Sequence, residues 1–254
     1  MMPIAFLGHG APTNALELNR FTERWRSFAS GLPRPEAILC ISAHWQTPGN
    51  YVTGGEKPRT IHDFYGFPQQ LYEVNYDSPG SEELAARIAN VVGGEVTEEW
   101  GLDHGSWSVL THLYPQADIP VLQLSMPTGL KPEEYFALGS SLKSLRDEGV
   151  FVWGSGNIVH NLRTATFADE SNQTDWALRF DERVKKSVIE RDFQSILSYD
   201  GGSADAKLAV NSAEHFKPLF YILGMIRDGD ELTVFNDEVI YGTLSMTSYS
   251  FGPG

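Results

Sequence analysis

Short apolar runs alternate with amphipathic helical segments along this chain, and this alternation constrains the fold more than any other feature. The runs predicted as strands are 3–7, 37–42, 120–125 and 150–153, followed by a late hairpin of 231–241 and 244–248 around Gly242. Helices are predicted over 21–30, 81–92, 131–148, 175–198 and 212–225. Continuous apolar strands are typical of a sheet that is covered on both faces. The pattern therefore predicts an α/β fold, a single domain with a mixed, largely buried central sheet flanked by helices.

Composition narrows the class of protein further. With 254 residues, 41% of them hydrophobic, the chain can bury a substantial core. Its formal net charge of −14 disfavours nucleic acid and anionic membranes as partners, since both require basic patches. Cys40 is the one cysteine, so no intrachain disulfide forms. With no leader or apolar span apparent, we expect a cytoplasmic protein.

Five of the seven histidines lie beside glycine, small or turn-forming residues. His9 and His44 each follow an apolar strand within two or three residues. If those two strands are neighbours, both imidazoles reach the same sheet edge, where α/β folds gather their sites. Two converging imidazoles provide half of a metal site, and a third ligand would leave positions open for substrate. The alternative is two loop histidines that bond to the backbone.

Two further histidines are candidates for acid or base chemistry. His160 follows a Gly-Ser-Gly-Asn turn over 154–157, where glycine permits close approach to a ligand. It is interpreted as a metal ligand or a general base, with a structural histidine as the alternative. His104 suits a substrate contact or an acid/base role, and the preceding Asp103 could orient its ring. The sequence around His112 favours a helix, and His112 is interpreted as structural.

The third metal ligand is left open between two adjacent residues, Glu214 and His215. Glu214 would complete the two-histidine, one-carboxylate face of non-haem iron(II) sites. His215 would give three histidines, a set that zinc also accepts. No Gly-x-Ser-x-Gly element and no His-Glu-x-x-His pair is present in the sequence, so hydrolases built on those motifs have no support.

An ordered set of motifs resembles a known family. The segments 8–12 (GHGAP), 42–45 (SAHW), 62–68 (HDFYGFP), 103–107 (DHGSW), 154–162 (GSGNIVHNL) and 214–219 (EHFKPL) are similar to those of the class III extradiol ring-cleavage dioxygenases, in the DOPA 4,5-dioxygenase branch. Each segment alone has little specificity for the family, but the whole set in this order, from residue 8 to about 219, is specific.

The resemblance implies one catalytic domain over 1–254, with a non-haem Fe(II) or Zn(II) ion at one sheet edge. It implies that His9 and His44 are metal ligands and that the third ligand lies at 214–215; we expect His215 and keep Glu214 as the alternative. His160 matches an acid/base histidine that is sometimes counted as a ligand. His104 matches a histidine that contacts substrate or oxygen.

The implied substrates are molecular oxygen and a small catechol such as DOPA. The aromatic loop from His62 to Phe67 would cover the ring, and His62 and Tyr65 are expected substrate contacts. Arg163 could meet a substrate carboxylate, since arginine pairs with one bidentately. A zinc-dependent hydrolase and a non-catalytic metal-binding or partner-docking protein are the alternatives. The sequence indicates no oligomeric state.

Overall fold

An eight-stranded mixed sheet forms the centre of the protein, described here for residues 1–253 in a computed structural model. The ten strands are β1 (Ile4–Gly8), β2 (Ala37–Thr47), β3 (Tyr51–Thr53), β4 (Glu95–Thr97), β5 (Val121–Pro127), β6 (Val150–Gly156), β7 (Asp230–Phe235), β8 (Val239–Ile240), β9 (Leu244–Ser245) and β10 (Ser248–Pro253). The order in the sheet is β4-β3-β5-β2-β6-β1-β10-β7, and β8 and β9 form a separate hairpin. The four strands from β5 to β1 run parallel, while β10 pairs antiparallel with β1 and β7.

Helices flank this sheet on both sides. They are α1 (Arg20–Ser30), α2 (Gln69–Tyr72), α3 (Glu82–Val92), α4 (His104–Leu113), α5 (Pro132–Ser141), α6 (Asp175–Ile189), α7 (Phe193–Leu197), α8 (Ala204–Ala209) and α9 (Lys217–Met225), with 3-10 segments at Pro12–Leu16 and Lys143–Arg146. The helix predicted over 131–148 thus divides into α5 and the second 3-10 segment. No helix in the described part of the chain is long and apolar enough to cross a membrane.

The apolar strands are continuous because both faces of the sheet are buried. In β2, Leu39 and Ile41 belong to a core shared with α3, α5, α6 and α9. The alternating residues Ile38 and Cys40 pack instead into a second core with α1 and α4. Successive strand side chains point to opposite faces, so a sheet covered on both sides needs apolar residues at every position. The predicted α/β class with a mixed, largely buried sheet is confirmed.

Two predicted helices are interrupted by local backbone geometry. The single helix predicted over 175–198 becomes α6 and α7, because Arg191 between them adopts a φ of 56°. The helix predicted over 212–225 begins only with α9, whose first turn contains Pro218. His215 therefore lies in a turn before α9 rather than on a helix, and this turn carries it to the sheet edge.

The length of β2 and the order of the strands beside the histidines also differ from the prediction. β2 continues past His44 to Thr47, with a register shift between Ile41 and Gln46. The strands β1 and β2 are not neighbours, because β6 lies between them and pairs with both. The carboxyl ends of three parallel strands, rather than two, therefore form the edge at which the histidines meet.

Candidate metal centre

Five histidines converge at the carboxyl ends of β1, β6 and β2. The Nε2 atoms of His9 and His44 are 3.2 Å apart. The ring centre of His215 lies 5.3 Å from that of His9 and 5.0 Å from that of His44. His104 lies 3.9 Å from His44, and His160 stacks on His215 at 3.5 Å. The histidines singled out in the sequence thus share one site.

The donor atoms fall into two adjoining groups. His9, His44 and His104 offer nitrogens that all lie within 4.8 Å of one another. His160, Glu214 and His215 form the second group at the same spacing. His9 and His44 fall in the same group. His104, which was expected to contact substrate, also lies within metal-ligand distance of them.

Glycines of β6 allow the His215 turn to approach the sheet. A Cβ at Gly156 would lie 2.1 Å from the His215 carbonyl oxygen, a distance that no side chain tolerates. The next residue, Asn157, donates its backbone N–H to that same carbonyl at 2.9 Å. The Gly-Ser-Gly segment 154–156, expected as a turn, is therefore the end of β6, and it holds the His215 turn against the strand ends.

A hydroxyl on β6, that of Ser155, orients the His9 ring. Ser155 Oγ donates to the Gly105 carbonyl at 2.5 Å, so its lone pairs remain available for the His9 Nδ1–H at 2.9 Å. A ring that carries its proton on Nδ1 has a free lone pair on Nε2. His9 therefore directs an unprotonated nitrogen towards His44.

Asp63 orients two more rings, and sequence reasoning missed it. Its Oδ1 accepts from the backbone N–H and the Nδ1–H of His104, both at 2.9 Å, and its Oδ2 lies 3.6 Å from His44 Nδ1. Burial acts to raise the pKa of Asp63, but the bonds from His104 lower it overall. The carboxylate is therefore charged. Its position one residue after His62 in the aromatic loop was the available signal.

Asp103, expected to orient His104, has a different position. Its carboxylate accepts from Ser42 Oγ and from Gln123 Nε2, each at 2.7 Å. Burial, reinforced by the charge of Asp63, raises the pKa of Asp103 to about 6. Adjacent side chains at the start of a helix point in different directions. Asp103 therefore bonds to Ser42 and Gln123, while Asp63 contacts the His104 ring.

Glu214 lies on the Nδ1 side of His215. Its Oε1 accepts from Ser212 Oγ at 2.7 Å and lies 3.3 Å from His215 Nδ1. A carboxylate in this position holds the imidazole proton on Nδ1 and leaves Nε2 free. The arrangement parallels those at His9 and His44, where a polar partner also occupies the Nδ1 side.

The buried imidazoles are uncharged near neutral pH. Burial, followed by the neighbouring imidazoles, lowers the pKa of His9 and His215 well below the ordinary value. Burial also lowers the pKa of His44 to about 3 and that of His160 to about 4. Two nitrogen lone pairs facing each other at 3.2 Å repel unless a cation lies between them. Since metal–imidazole bonds measure about 2.0–2.1 Å, this donor set fits one transition-metal ion.

A cavity of about 320 Å³ opens onto the imidazoles. Besides five histidines it is lined by Gly10, Ala11, Pro12, Phe64, Phe67, Leu162, Phe167 and Leu244. The two phenylalanines from the 62–68 loop pack edge-to-face at 5.3 Å, and Phe64 also meets His104 at 5.6 Å. The aromatic loop expected to cover the site therefore forms one wall of it.

His104 lines the cavity, but the other three residues expected to contact substrate lie outside this lining. His62 Nε2 lies 3.0 Å from the Val74 carbonyl, and its ring packs on Trp107 behind the loop. Tyr65 is 92% exposed, and Arg163 lies on the surface. Their contact with substrate stays a prediction that depends on loop movement or on a long substrate.

His112, interpreted as structural, lies away from the other histidines. Its Nδ1 accepts from Arg26 Nε at 3.1 Å, and its Nε2 donates to the Asn14 carbonyl at 2.7 Å. Both ring nitrogens are therefore occupied. The interpretation agrees with this geometry, since no lone pair is left for a ligand.

Comparison with known proteins places this site in a family. Residues 5–252 match the model described as the catalytic LigB subunit of aromatic ring-opening dioxygenase. An Escherichia coli (strain K12) protein named 4,5-DOPA dioxygenase extradiol is 43% identical over 261 residues, covering 99% of this chain and 95% of that protein. A Beta vulgaris protein of the same name is 35% identical over 256 residues, covering 97% and 95%.

A solved structure agrees with the sequence matches. The crystal structure of an uncharacterized protein from Escherichia coli K12 superposes with a TM-score of 0.85 at 38% identity, covering 99% of this chain and 100% of that one. Family model, full-length relatives and fold all agree with a buried histidine cluster that fits a non-haem metal. The chain belongs to the LigB family, the catalytic subunits of aromatic ring-opening dioxygenases.

Proposed function

We propose that this protein is an extradiol dioxygenase that opens the ring of a catechol such as DOPA with O2 at a non-haem metal. The observation that carries the proposal is the convergence of His9, His44 and His215, each with its Nδ1 facing a polar partner. Both named relatives described above carry the name of this activity.

His9, His44 and His215 would hold the metal. Ligating histidines almost always direct their second ring nitrogen at a carboxylate, carbonyl or water, which fixes the tautomer. The partners here are, in the same order, Ser155, Asp63 and Glu214. Because Glu214 faces the Nδ1 side of His215, we assign the histidine as ligand and the glutamate as its partner. The proposed centre is therefore a three-histidine face.

Iron(II) is the proposed catalytic ion. Three imidazoles also suit zinc, but zinc has no redox chemistry to offer in a reaction with O2. When bound, the divalent ion supplies positive charge that lowers the pKa of a catechol hydroxyl and redox activity that permits reaction with O2.

His160 and His104 are the proposed proton carriers. Burial keeps His160 uncharged near pH 7, so its free ring nitrogen can accept the second catechol proton. His104 is fixed by Asp63 at Nδ1, which leaves Nε2 to face the cavity beside Phe64. That position suits a contact with the substrate oxygen or with O2. In this proposal, His160 and His104 each contact the substrate or O2 directly.

The apolar wall would protect the reaction from water. Phe64 and Phe67 line the cavity, and their edge-to-face contact fixes one side of the space that a catechol ring would fill. Excluding water strengthens electrostatic interactions in the site and prevents loss of reactive species to hydrolysis.

Oxygen uptake and metal content together test this function. The protein is loaded anaerobically with Fe(II) or Zn(II), mixed with a catechol panel that includes DOPA, and exposed to air. We expect uptake and a yellow ring-opened product with Fe(II) only. His215→Ala should lose the metal, whereas His160→Ala and His104→Ala should retain it but slow turnover. His112→Gln is the matched control and should keep both the bound metal and the wild-type turnover.

Three outcomes would contradict the proposed reaction or the proposed ligand set. Absence of oxygen uptake with every catechol in the presence of bound iron would exclude ring cleavage. Ester or amide hydrolysis by the zinc-loaded protein, without oxygen consumption, would favour a hydrolase. Loss of metal in His104→Ala, together with retention in His215→Ala, would transfer the third-ligand role to His104.

A further inference from the structure

We propose that Leu162 and Phe167 form a platform at the mouth of the cavity on which the ring substituent of a catechol lies, and that Tyr241 positions Phe167 for this contact. The inference rests on the proposed ring-cleaving function and names the specificity-determining residues of that site. It concerns the part of the substituent next to the ring, whatever charge the substituent carries at its end.

The cavity is closed at the imidazoles and open at the platform. His9 and His215 are 1% and 5% exposed, whereas Leu162 and Phe167, which line the same cavity, are 49% and 60% exposed. The catechol oxygens belong at the closed end, because the proposed metal ligands lie there. On a catechol ring, C4 lies opposite the oxygens, so a substituent at C4 points towards the mouth. A substituent at C3 lies beside an oxygen and points at the walls.

The platform offers apolar surface that a substituent at C4 would cover. Single exposed apolar side chains are common on protein surfaces and need no explanation. Leu162 and Phe167, however, line one cavity, together with Phe64 and Phe67 of the aromatic loop. Removing their exposed surface from water is favourable in proportion to the area covered. The substituent of a bound catechol is the group that reaches this surface from inside the cavity.

Tyr241 holds Phe167 in place from behind. The rings of the two residues lie 5.6 Å apart, centre to centre. The backbone of Tyr241 also bonds to the segment on both sides of Phe167: its carbonyl accepts from the Thr166 N–H at 2.8 Å, and its N–H donates to the Glu170 carbonyl at 3.1 Å. Phe167 is therefore fixed by two backbone bonds and one ring contact, although much of its own ring is exposed.

The backbone of Tyr241 indicates that its ring is required at this position. Tyr241 has a φ of 51°, in the left-handed region that favours glycine, and the next residue, Gly242, has a φ of 82°. A glycine at 241 would adopt the same turn without strain. Strained residues of this kind are concentrated at functional sites. The contact that the tyrosine ring adds, and a glycine would lack, is the one with Phe167.

Charges of both signs surround the site, so the platform places no condition on the charge of the substituent. Asp63 and Glu214 contribute negative charge behind the imidazoles. The divalent ion proposed for the site, the exposed Arg163 and the half-buried Lys217 contribute positive charge. An end group that extends past the platform, a carboxylate included, keeps its hydration at the open mouth.

An isomeric pair of substrates tests where the substituent lies. 4-Propylcatechol directs its chain to the mouth, and 3-propylcatechol directs the same chain to the walls. We expect kcat/KM of the iron-loaded wild-type protein to favour the 4-isomer by about tenfold or more. Equal values, or a preference for the 3-isomer, would overturn the inference.

Substitution of Phe167 tests which residue holds the chain. Phe167→Ala should lower the kcat/KM ratio of 4-propylcatechol to unsubstituted catechol by about tenfold, through a higher KM for the propyl compound. Catechol itself has no substituent and should keep its KM. Phe167→Tyr retains the ring, and Ile189→Ala removes a 57% exposed side chain from α6, so both should keep the wild-type ratio. An unchanged ratio in Phe167→Ala, or an equal loss for both substrates, would overturn the inference.

Tyr241→Gly tests the positioning role without straining the turn. The substitution removes the ring and suits the positive φ, so the free energy of unfolding should not fall. The kcat/KM ratio of 4-propylcatechol to catechol should fall by about threefold, because Phe167 loses one aromatic contact. Tyr241→Phe keeps that contact and should keep the ratio. A wild-type ratio in Tyr241→Gly, or an equal loss in Tyr241→Phe, would overturn the role assigned to Tyr241.

Binding measurements separate this inference from the proposed function. If none of the catechols is cleaved, ring cleavage itself fails, and calorimetric affinities for the zinc-loaded protein then decide the role of the platform. Tighter binding of 4-propylcatechol than of catechol, with the difference lost in Phe167→Ala, supports the inference without turnover. Equal affinities in the wild-type protein, or a difference that persists in Phe167→Ala, would overturn it.

Discussion

Asp63→Asn should lower kcat/KM without unfolding the protein. The substitution keeps the size of the side chain and an acceptor oxygen for the two His104 bonds, both 2.9 Å long. It removes the negative charge shared between His104 and His44. We expect kcat/KM to fall because the tautomers and orientations of the His104 and His44 rings depend on that charge.

The magnitude follows from the contacts. A hydrogen bond to a charged group contributes about 1.5–3 kcal/mol, against about 0.5–1.5 kcal/mol for a neutral pair. Neutralising Asp63 should thus weaken each of the two His104 bonds by about 1 kcal/mol, or about 2 kcal/mol together. That corresponds to about a 30-fold loss in kcat/KM. The value falls within the roughly 10–100-fold effects known for partners of metal ligands.

Steady-state oxygen uptake with a catechol, at saturating Fe(II), measures the loss. Zinc competition titration of the same variant reports metal affinity through His44, and circular dichroism confirms the fold. Asp77→Asn is the matched control, because Asp77 is 61% exposed and pairs only with Lys57. Wild-type kcat/KM and metal affinity in Asp63→Asn would refute the assigned role of Asp63.

Three further substitutions test other parts of the structure. Arg146→Met should cost about 3–5 kcal/mol in the free energy of unfolding, measured in urea, because it leaves buried Asp230 without its bidentate partner. Gly156→Ala should reduce bound metal severalfold by elemental analysis, since its Cβ would displace the His215 turn. Burial raises the pKa of Asp181 to about 6, so its stabilising contribution is present below about pH 4 and lost as pH rises through 6. Relative to wild type, Asp181→Asn should therefore gain up to about 3 kcal/mol between pH 4 and 7, measured by urea unfolding.

Matched controls accompany these substitutions. Lys186→Met breaks an exposed 3.8 Å ion pair and should change stability by less than about 0.5 kcal/mol. A Cβ at Gly31 meets nothing closer than 3.5 Å, so Gly31→Ala should keep its metal. The bond from Arg179 lowers the pKa of the partly exposed Asp205, so Asp205→Asn should lose relative stability as pH rises. A common trend in both aspartate variants, or wild-type behaviour of Arg146→Met or Gly156→Ala, would contradict these assignments.

Much of the fold could be predicted because local signals and tertiary packing agree. The apolar runs of β1, β5 and β6 are buried on both faces, and α3 matches the predicted helix 81–92, with Ser81 and Gly93 as its caps. Prediction was less accurate where one residue ends a helix. The positive φ of Arg191 and the position of Pro218 both shorten helices whose apolar spacing continues past them.

The sequence predicted which histidines form the site, but not the strand order that brings them together or the residues that bond to their rings. Each histidine was visible beside a glycine or a turn, yet strand order depends on long-range pairing, and β6 between β1 and β2 left no local signal. The partners of the rings were harder still. Ser155 and Asp63 contact His9 and His104 from segments far away in sequence, and only the folded chain brings them together.

Isotope incorporation tests the central claim most directly. The iron-loaded protein is mixed with L-DOPA under ¹⁸O₂, and the yellow product is analysed by mass spectrometry. If the histidine cluster supports extradiol cleavage, the ring-opened product contains both atoms of one O2 and no hydrogen peroxide accumulates. Release of peroxide with an intact or merely oxidised ring, or no incorporation of ¹⁸O, would contradict the account.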